Sequence, residues 1–533
     1  MYLKFRTFIS ALQILLFILG LLLSLATLPA FPFIHSDEVW LADLSRAMVQ
    51  SGNPAATESF FHLTPRYPHA IKTLYHLIQG LFLKGSFTPL AARLPSFLAG
   101  LLALAATAWA AKKTPDLKNW WVAVPLFLLW NLQFFYASHF GRQEIFLLAL
   151  FMAGYGILKN TFPGWKQGVL LGLVTAPGIF IHPNSFIIAL SLGFMLVYRD
   201  ISGRDSKGVP LRQKAAGWFL YTGILAIAAA AALRISLTWD PDFFIHYRDF
   251  GDNTGAALPL FLKLRRLPLF FYKMYIRAAG TYYLPPLKGV MIVGTAALIL
   301  RPLLGFLTKT SRPLATTAGT LGLTAGLTLI GKYSPPSLVF FFPLAAFALV
   351  ETLVLMNQLL IRSGRLRILS SLPLILGTAL FLLQAGSTAA EVRRTRDTAV
   401  EYRRYEQFIS EVIPPNAKVL ANLNTGFILD SRRIHPFRDL AFLDEAGITV
   451  IEYLRRENIQ WVVWPEEMEI IYAERPVWND LYGNLYPYYE DLFTLLQLSE
   501  TVATAIFPVY GMRIIPYQGR RGGRVTVHRL YLP

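Results

Sequence analysis

What most constrains this chain is a succession of long apolar runs separated by short loops rich in lysine and arginine. A run of about 20 apolar residues crosses the hydrocarbon core as a helix, because only a helix or a closed barrel satisfies its own backbone groups there. The runs predict eleven spans, near 8–33, 90–111, 119–138, 142–158, 168–181, 184–198, 215–237, 286–307, 314–331, 336–356 and 368–386. Hydrophobic residues fill 54% of the 533 positions and charged residues 15%, a balance outside the range of soluble domains. The first run, from Phe8 to Phe33, is too long for a signal-peptide core and reads as a retained anchor. Cysteine is absent, so disulfides and thiolate metal sites are excluded.

The formal charge of +18 does not indicate nucleic acid, because the cations recur at alternate helix ends: Lys4 and Arg6, Lys112 and Lys113, Lys159 and Lys166, Arg199 to Lys214, Arg301 to Arg312, and Arg362 to Arg367. That is the positive-inside pattern, with anionic membrane lipids as the partner. It predicts a multi-pass protein of the plasma (inner) membrane, with a cytoplasmic N-terminus and everything after Gly386 outside. Two units follow: residues 1–389 as a transmembrane catalytic domain with outer loops, and residues 390–533 as an extracytoplasmic α/β domain. In the latter, Glu391 to Glu411 reads as a helix, Asp439 to Glu457 as a second, and 417–423, 461–464, 503–509 and 525–532 as strands. The first outer segment carries Leu41, Leu44 and Met48 at helical spacing and predicts an amphipathic helix at the interface. Residues 267–284 read as a further span or as an interfacial or re-entrant helix.

Asp37 and Glu38 stand at the outer mouth of the first span. Charge there is costly unless it is solvated or used. The simple reading makes Ser36 or Asp37 a helix cap. Other polar groups gather on the same side: Arg66, His69 and Lys72; Arg142 and Glu144; His182 and Asn184; Lys332 and Tyr333. A carboxylate base beside several cations suits transfer of a group from a phosphate-linked donor, since the cations hold the departing phosphate. The plainer alternatives are an Arg142–Glu144 pair that only closes a helix end, a Lys332 that snorkels, and a His182-Pro183 turn. Asp37 and Glu38 are also the ligand candidates for a hard divalent ion, whose presence the sequence leaves open.

Most of these residues lie in the segments "HSDEVW", "YPHAIKTLYHLIQGLF", "ARLPSFLAGLLALAATAWAAKK", "GRQEIFLLALF" and "GKYSPPSLVFFFPLAAF". In that order they resemble the GT-C superfamily of integral membrane glycosyltransferases, particularly lipid A aminoarabinose transferases and protein O-mannosyltransferases. The resemblance covers the first 360 residues or so. It implies a polytopic α-helical membrane protein of about 11 transmembrane helices with a C-terminal extracytoplasmic α/β domain. The implied activity is inverting transfer of a sugar from a polyprenyl-phosphate donor to a lipid, glycan or protein acceptor at the outer face. Asp37 falls on the family's first-loop general base, with Glu38 beside it, and Arg142 and Glu144 fall on its basic-x-acidic motif. Lys332, followed by Tyr333, falls on a lysine that contacts donor phosphate. Arg66 and Lys72 are further phosphate candidates, and His69, His182 and Asn184 are acceptor or cavity candidates. The sequence departs from the family at Tyr67-Pro68-His69-Ala70 and at Ile181-His182-Pro183-Asn184. A transporter or flippase of a lipid-linked saccharide is the alternative from another class.

Overall fold

The computed structural model describes residues 2–64, 66–160, 162–202, 210–254, 258–275, 288–307, 314–331, 333, 335–363, 369–394, 396–474, 484–511 and 523–532. Its helical part runs α1 (Tyr2–Thr27), α2 (Ser36–Ser51), α3 (Thr73–Leu83), α4 (Pro89–Lys113), α5 (Ala123–Leu129), α6 (Leu132–His139), α7 (Glu144–Leu158), α8 (Gly164–Thr175), α9 (Ser185–Ser202) and α10 (Leu211–Trp239). It continues with α11 (Phe243–Thr254), α12 (Leu260–Tyr275), α13 (Lys288–Leu307), α14 (Leu314–Ile330), α15 (Phe341–Arg362), α16 (Leu372–Arg394) and α17 (Arg396–Val412). Among the described residues, five helices are long and apolar enough to cross a membrane: α4, α9, α10, α15 with the turn before it, and α16. Shorter apolar helices lie at Ala11–Thr27, Glu144–Leu158, Ile292–Phe306 and Ala315–Ile330. The chain is an integral membrane protein.

The bundle is assembled pairwise, α4 on α7, α8 on α10, α9 on α14 and α13 on α15. Small residues permit the closest approach. A Cβ at Gly168 would fall 2.0 Å from the carbonyl oxygen of Gly217, so α8 and α10 meet backbone to backbone. The expected span 119–138 is two short helices instead. The buried Asn131 ends one and caps the next, its side-chain oxygen accepting the N–H groups of Gln133 and Phe134 at 3.0 and 3.1 Å. The segment 267–284 begins inside α12, and residues 276–287 lie outside the described part.

The amphipathic helix expected in the first outer segment is α2, and Leu41, Leu44 and Met48 are all buried. Its N-cap is His35 rather than Ser36 or Asp37, which occupy the first turn. The His35 Nδ1 accepts the Asp37 N–H at 3.0 Å, and the Glu38 carboxylate accepts the His35 N–H at 3.3 Å.

The tail forms a five-stranded mixed sheet from β1 (Val419–Ala421), β2 (Ile434–Pro436), β3 (Trp461–Pro465), β4 (Glu500–Ile506) and β5 (Arg524–Arg529), in the order β2-β1-β3-β5-β4. The first three are parallel, and β5 and β4 run antiparallel to their neighbours. Strand β2, at three residues, is too short to show an alternating pattern and was not expected. Side chains of β3 alternate: Trp461 and Val463 join the core shared with α17 and the helical bundle, while Val462 and Trp464 join a second core. That second core is covered by α18 (Leu443–Ala446), α19 (Val450–Arg456), α20 (Glu467–Glu474) and α21 (Tyr489–Gln497).

The single helix expected over 439–457 is divided into α18 and α19. Gly447 at φ 64° ends the first, and Thr449 opens the second in a capping box with Glu452. A Cβ at Gly447 meets nothing within 4 Å, so only its left-handed backbone matters. Gly447→Ala is therefore expected to destabilise the protein by about 1–2 kcal/mol. A thermal melt of the purified variant checks this, and no shift would mean the turn can relax.

The sheet is fastened to the first outer segment. Arg46 of α2 reaches Asp43 at 2.7 Å, Ser431 at 2.7 Å and Asp430 at 3.3 Å, while Ser431 Oγ donates to Asp43. The Ile34 N–H donates to the Tyr510 hydroxyl at 3.2 Å.

Candidate active site

Arg93, fully buried near the start of α4, organises the entry to α2. Its guanidinium donates to the carbonyls of Leu28, Pro29, Phe31, Pro32 and Phe33 at 2.9–3.5 Å. Its Nε and Nη2 grip the two oxygens of Glu38, each at 2.7 Å. Glu38 is itself buried and also accepts the Gly141 N–H at 3.1 Å. One turn along α4, Ser96 Oγ donates to the Arg142 carbonyl at 3.2 Å. Arg93 and Ser96 thereby lock the first outer segment and the 140–143 turn to the same helix.

Asp37 faces elsewhere. Its Oδ2 lies 2.5 Å from Arg142 Nη1, and its side chain is 20% exposed. Arg142 also forks onto Glu144, Nη2 to Oε1 at 3.0 Å and Nε to Oε2 at 3.2 Å. One cation thus bridges a buried acid and a solvent-accessible one. The first-turn position of Asp37 on α2 adds the favourable field of the helix N-terminus to its pairing with Arg142. The two adjacent acids do not converge on a common point: both Glu38 oxygens are engaged by Arg93, whereas Asp37 pairs with Arg142 and keeps a fifth of its side chain exposed.

Three residues of the turn before α3 complete the surroundings. Lys72 has no hydrogen bond or ion pair among the described residues. Desolvation lowers its pKa, Arg66 and Arg142 push the same way, and Glu58 and Asp37 oppose them. Arg66 lies over the rings of Phe61 at 4.4 Å and Trp40 at 5.5 Å, with a buried Nε that finds no acceptor. The His69 Nδ1 is buried and unpartnered, and burial, helped by Lys72, takes its pKa down to about 3. It is neutral at physiological pH. Unpaired cations in a desolvated setting are costly unless an anion completes them.

The other expected site residues are placed differently. Lys332 lies outside the described residues. Its neighbour Tyr333 donates its hydroxyl to the Lys263 carbonyl at 2.5 Å, so that group ties α12 to the 331–335 loop instead of facing the acids. The turn after this loop does reach the site: Pro336, Leu338 and Val339 join Gln133, Tyr136, Phe140, Arg142 and Glu144 around a hollow of about 20 Å³. His182 uses its Nδ1 to accept the Asn184 N–H at 3.0 Å, and buried Asn184 donates to Ser337 Oγ at 3.0 Å. They shape and brace a turn.

An apolar groove of about 650 Å³ runs between α9 and α10, lined by Ala189, Phe194, Trp218 and Leu225 along its length. At one end it is bounded by Pro183, Phe243, Tyr247 and Ile71, the residue next to Lys72. Arg93 and Ser96 had no role assigned from sequence, although both stand in the "ARLPS" segment that carried the resemblance. Glu58, which accepts the Trp40 Nε1–H at 2.7 Å, was likewise unassigned.

The fold is shared with solved structures of an ArnT and of an archaeal oligosaccharyltransferase. The structure is similar to that of ArnT from Cupriavidus metallidurans in the apo state, with a TM-score of 0.54 and 14% identity over 98% of each chain. The same protein bound to undecaprenyl phosphate gives a TM-score of 0.53 and 15% identity over 98% of each chain. The archaeal oligosaccharyltransferase AglB from Archaeoglobus fulgidus, in complex with an inhibitory peptide and a dolichol-phosphate, gives 0.51 and 12%, over 89% of this chain and 72% of that one. No protein-family model matches the chain, and no curated protein matches it in sequence.

Proposed function

We propose that this chain is an inverting glycosyltransferase that moves a sugar from a polyprenyl-phosphate donor to a cell-envelope lipid, glycan or protein at the outer face of the plasma membrane. One observation carries the reading: Lys72, a cation with no side-chain hydrogen bond or ion pair among the described residues, sits beside the Asp37–Arg142 pair and next to the end of an apolar groove of about 650 Å³. The polyprenyl phosphates in the ArnT and AglB complexes are the matching chemical class. In this scheme residues 1–389 form the catalytic unit, and residues 390–533 lie outside and present or select the acceptor.

The isoprenoid tail occupies the α9–α10 groove, and the phosphate meets Lys72 and Arg66, with Lys332 as a further contact. Asp37 takes the proton of the acceptor hydroxyl as that oxygen attacks the anomeric carbon opposite the phosphate. The carbon–oxygen bond to phosphate breaks, and the electron pair leaves with the polyprenyl phosphate. The cations stabilise the charge that grows on the leaving oxygen, a contribution made mainly in the transition state. Arg142 and Glu144 hold the base in place. A single displacement inverts the anomeric centre and needs no enzyme nucleophile.

The test is to incubate the purified protein in lipid nanodiscs with a labelled polyprenyl-phosphate sugar and cell-envelope extract. Release of free polyprenyl phosphate together with a newly labelled lipid, glycan or protein is the expected result. If label crosses sealed vesicles without any acceptor while no polyprenyl phosphate is freed, transport is the function instead. Lys72→Met is expected to lower kcat/KM for the donor by about 10- to 100-fold, the loss of a charge-assisted contact. Unchanged donor kinetics would place the phosphate elsewhere.

A further inference from the structure

The first outer segment and the tail meet at a second cluster, remote in purpose from the acids of α2. His62, His435 at the centre of β2 and Glu457 at the end of α19 bring one ligand atom each to within 4.8 Å of one another. The imidazoles stack with ring centroids 4.3 Å apart at 22°, so one ring has to turn about its side-chain torsions before both in-plane lone pairs meet a shared ion. We propose that these three residues bind a zinc-class divalent transition ion that fastens the first outer segment to the α/β domain, independently of the glycosyl-transfer reading.

The orientation of the set supports this. The Tyr453 hydroxyl points its proton to Asp439 Oδ2 at 3.4 Å, so its oxygen is left to accept from His435 Nδ1 at 3.1 Å. With the proton on Nδ1, the Nε2 lone pair is left for a metal, and the hydroxyl and carboxylate behind the ring orient it. Asp439 Oδ2 also accepts the His62 N–H at 3.0 Å, which pins the second ligand's backbone to the same carboxylate. Asp439 Oδ1 remains buried without a partner.

Two cations compete for Glu457: Arg456 at 3.1 Å and Lys418 at 3.9 Å. They are 50% and 41% exposed, and such surface pairs are worth about 1 kcal/mol or less, so both side chains can swing into water. Two nitrogens and one carboxylate, with an exposed edge at His62 open to a water, form the three-ligand set that zinc accepts. Calcium and magnesium prefer all-oxygen sites, which this is not.

The full-length protein, purified in detergent and stripped with EDTA, is titrated with Zn2+ and separately with Mg2+. Bound metal is counted by mass spectrometry, and thermal stability is followed in parallel. One saturable equivalent of zinc, a higher melting temperature with Zn2+ but not Mg2+, and loss of that equivalent in His62→Ala are expected. His62 is exposed, so its replacement leaves the fold in place. Tyr453→Phe is expected to bind zinc about 10- to 100-fold more weakly. Replacing zinc by Co2+ gives a second readout, visible absorption bands that His62→Ala removes. Wild-type protein that takes up no more zinc than His62→Ala, or that responds equally to Mg2+, overturns the proposal.

Discussion

Replacing Asp37 by Asn is expected to lower the turnover of the proposed sugar transfer by about 10²- to 10⁴-fold, the usual contribution of a positioned general base. The amide has the shape of the carboxylate and still accepts from Arg142, whose other fork remains on Glu144. The fold is therefore expected to survive, and the loss falls on kcat more than on KM, because only the proton transfer is removed. Single-turnover assays on protein of verified monodispersity separate the two. Turnover within threefold of wild type would remove Asp37 from the chemistry and leave it a partner of Arg142.

Arg93→Met carries the largest expected cost to stability, about 3–5 kcal/mol. The substitution leaves Glu38 charged and buried, and it strips five carbonyls of their shared donor. Breaking one side of a buried pair costs more than removing both charges, so the double variant E38Q/R93M is expected to melt above Arg93→Met alone. The glutamine also keeps an acceptor for the Gly141 N–H. Comparing apparent melting temperatures of the two variants in one detergent is the measurement. A single variant as stable as wild type would show that α4 does not anchor the entry to α2.

Asp37 and Glu38 illustrate how far residue order can be read. The sequence marked both as candidates because two carboxylates stood at a membrane boundary. Adjacent residues on a helix project about 100° apart, so once α2 begins at Ser36 the two acids face different neighbours. One is locked by Arg93 and the other pairs with Arg142, a division that neither charge nor position in the chain reveals. Arg142 and Glu144 were legible as a pair because their spacing sets them on one short turn. Tyr333 was placed among the phosphate contacts by its neighbour, yet its hydroxyl is spent on Lys263.

The apolar runs by themselves determined that this is a helical membrane protein, since lipid offers no other way to satisfy so much backbone. The same runs did not disclose the break at Asn131, because a single buried amide can cap a helix inside an apolar stretch. Short runs of β-branched and aromatic residues in β3 and β5 foretold the sheet, but β2 pairs only three residues and leaves no run to detect. Only the tertiary structure decided which cation meets which acid and brought His62 to His435 and Glu457. Local propensity and hydrophobic periodicity act over a few residues, whereas a site is made by contacts between segments far apart in sequence, and packing alone chooses those.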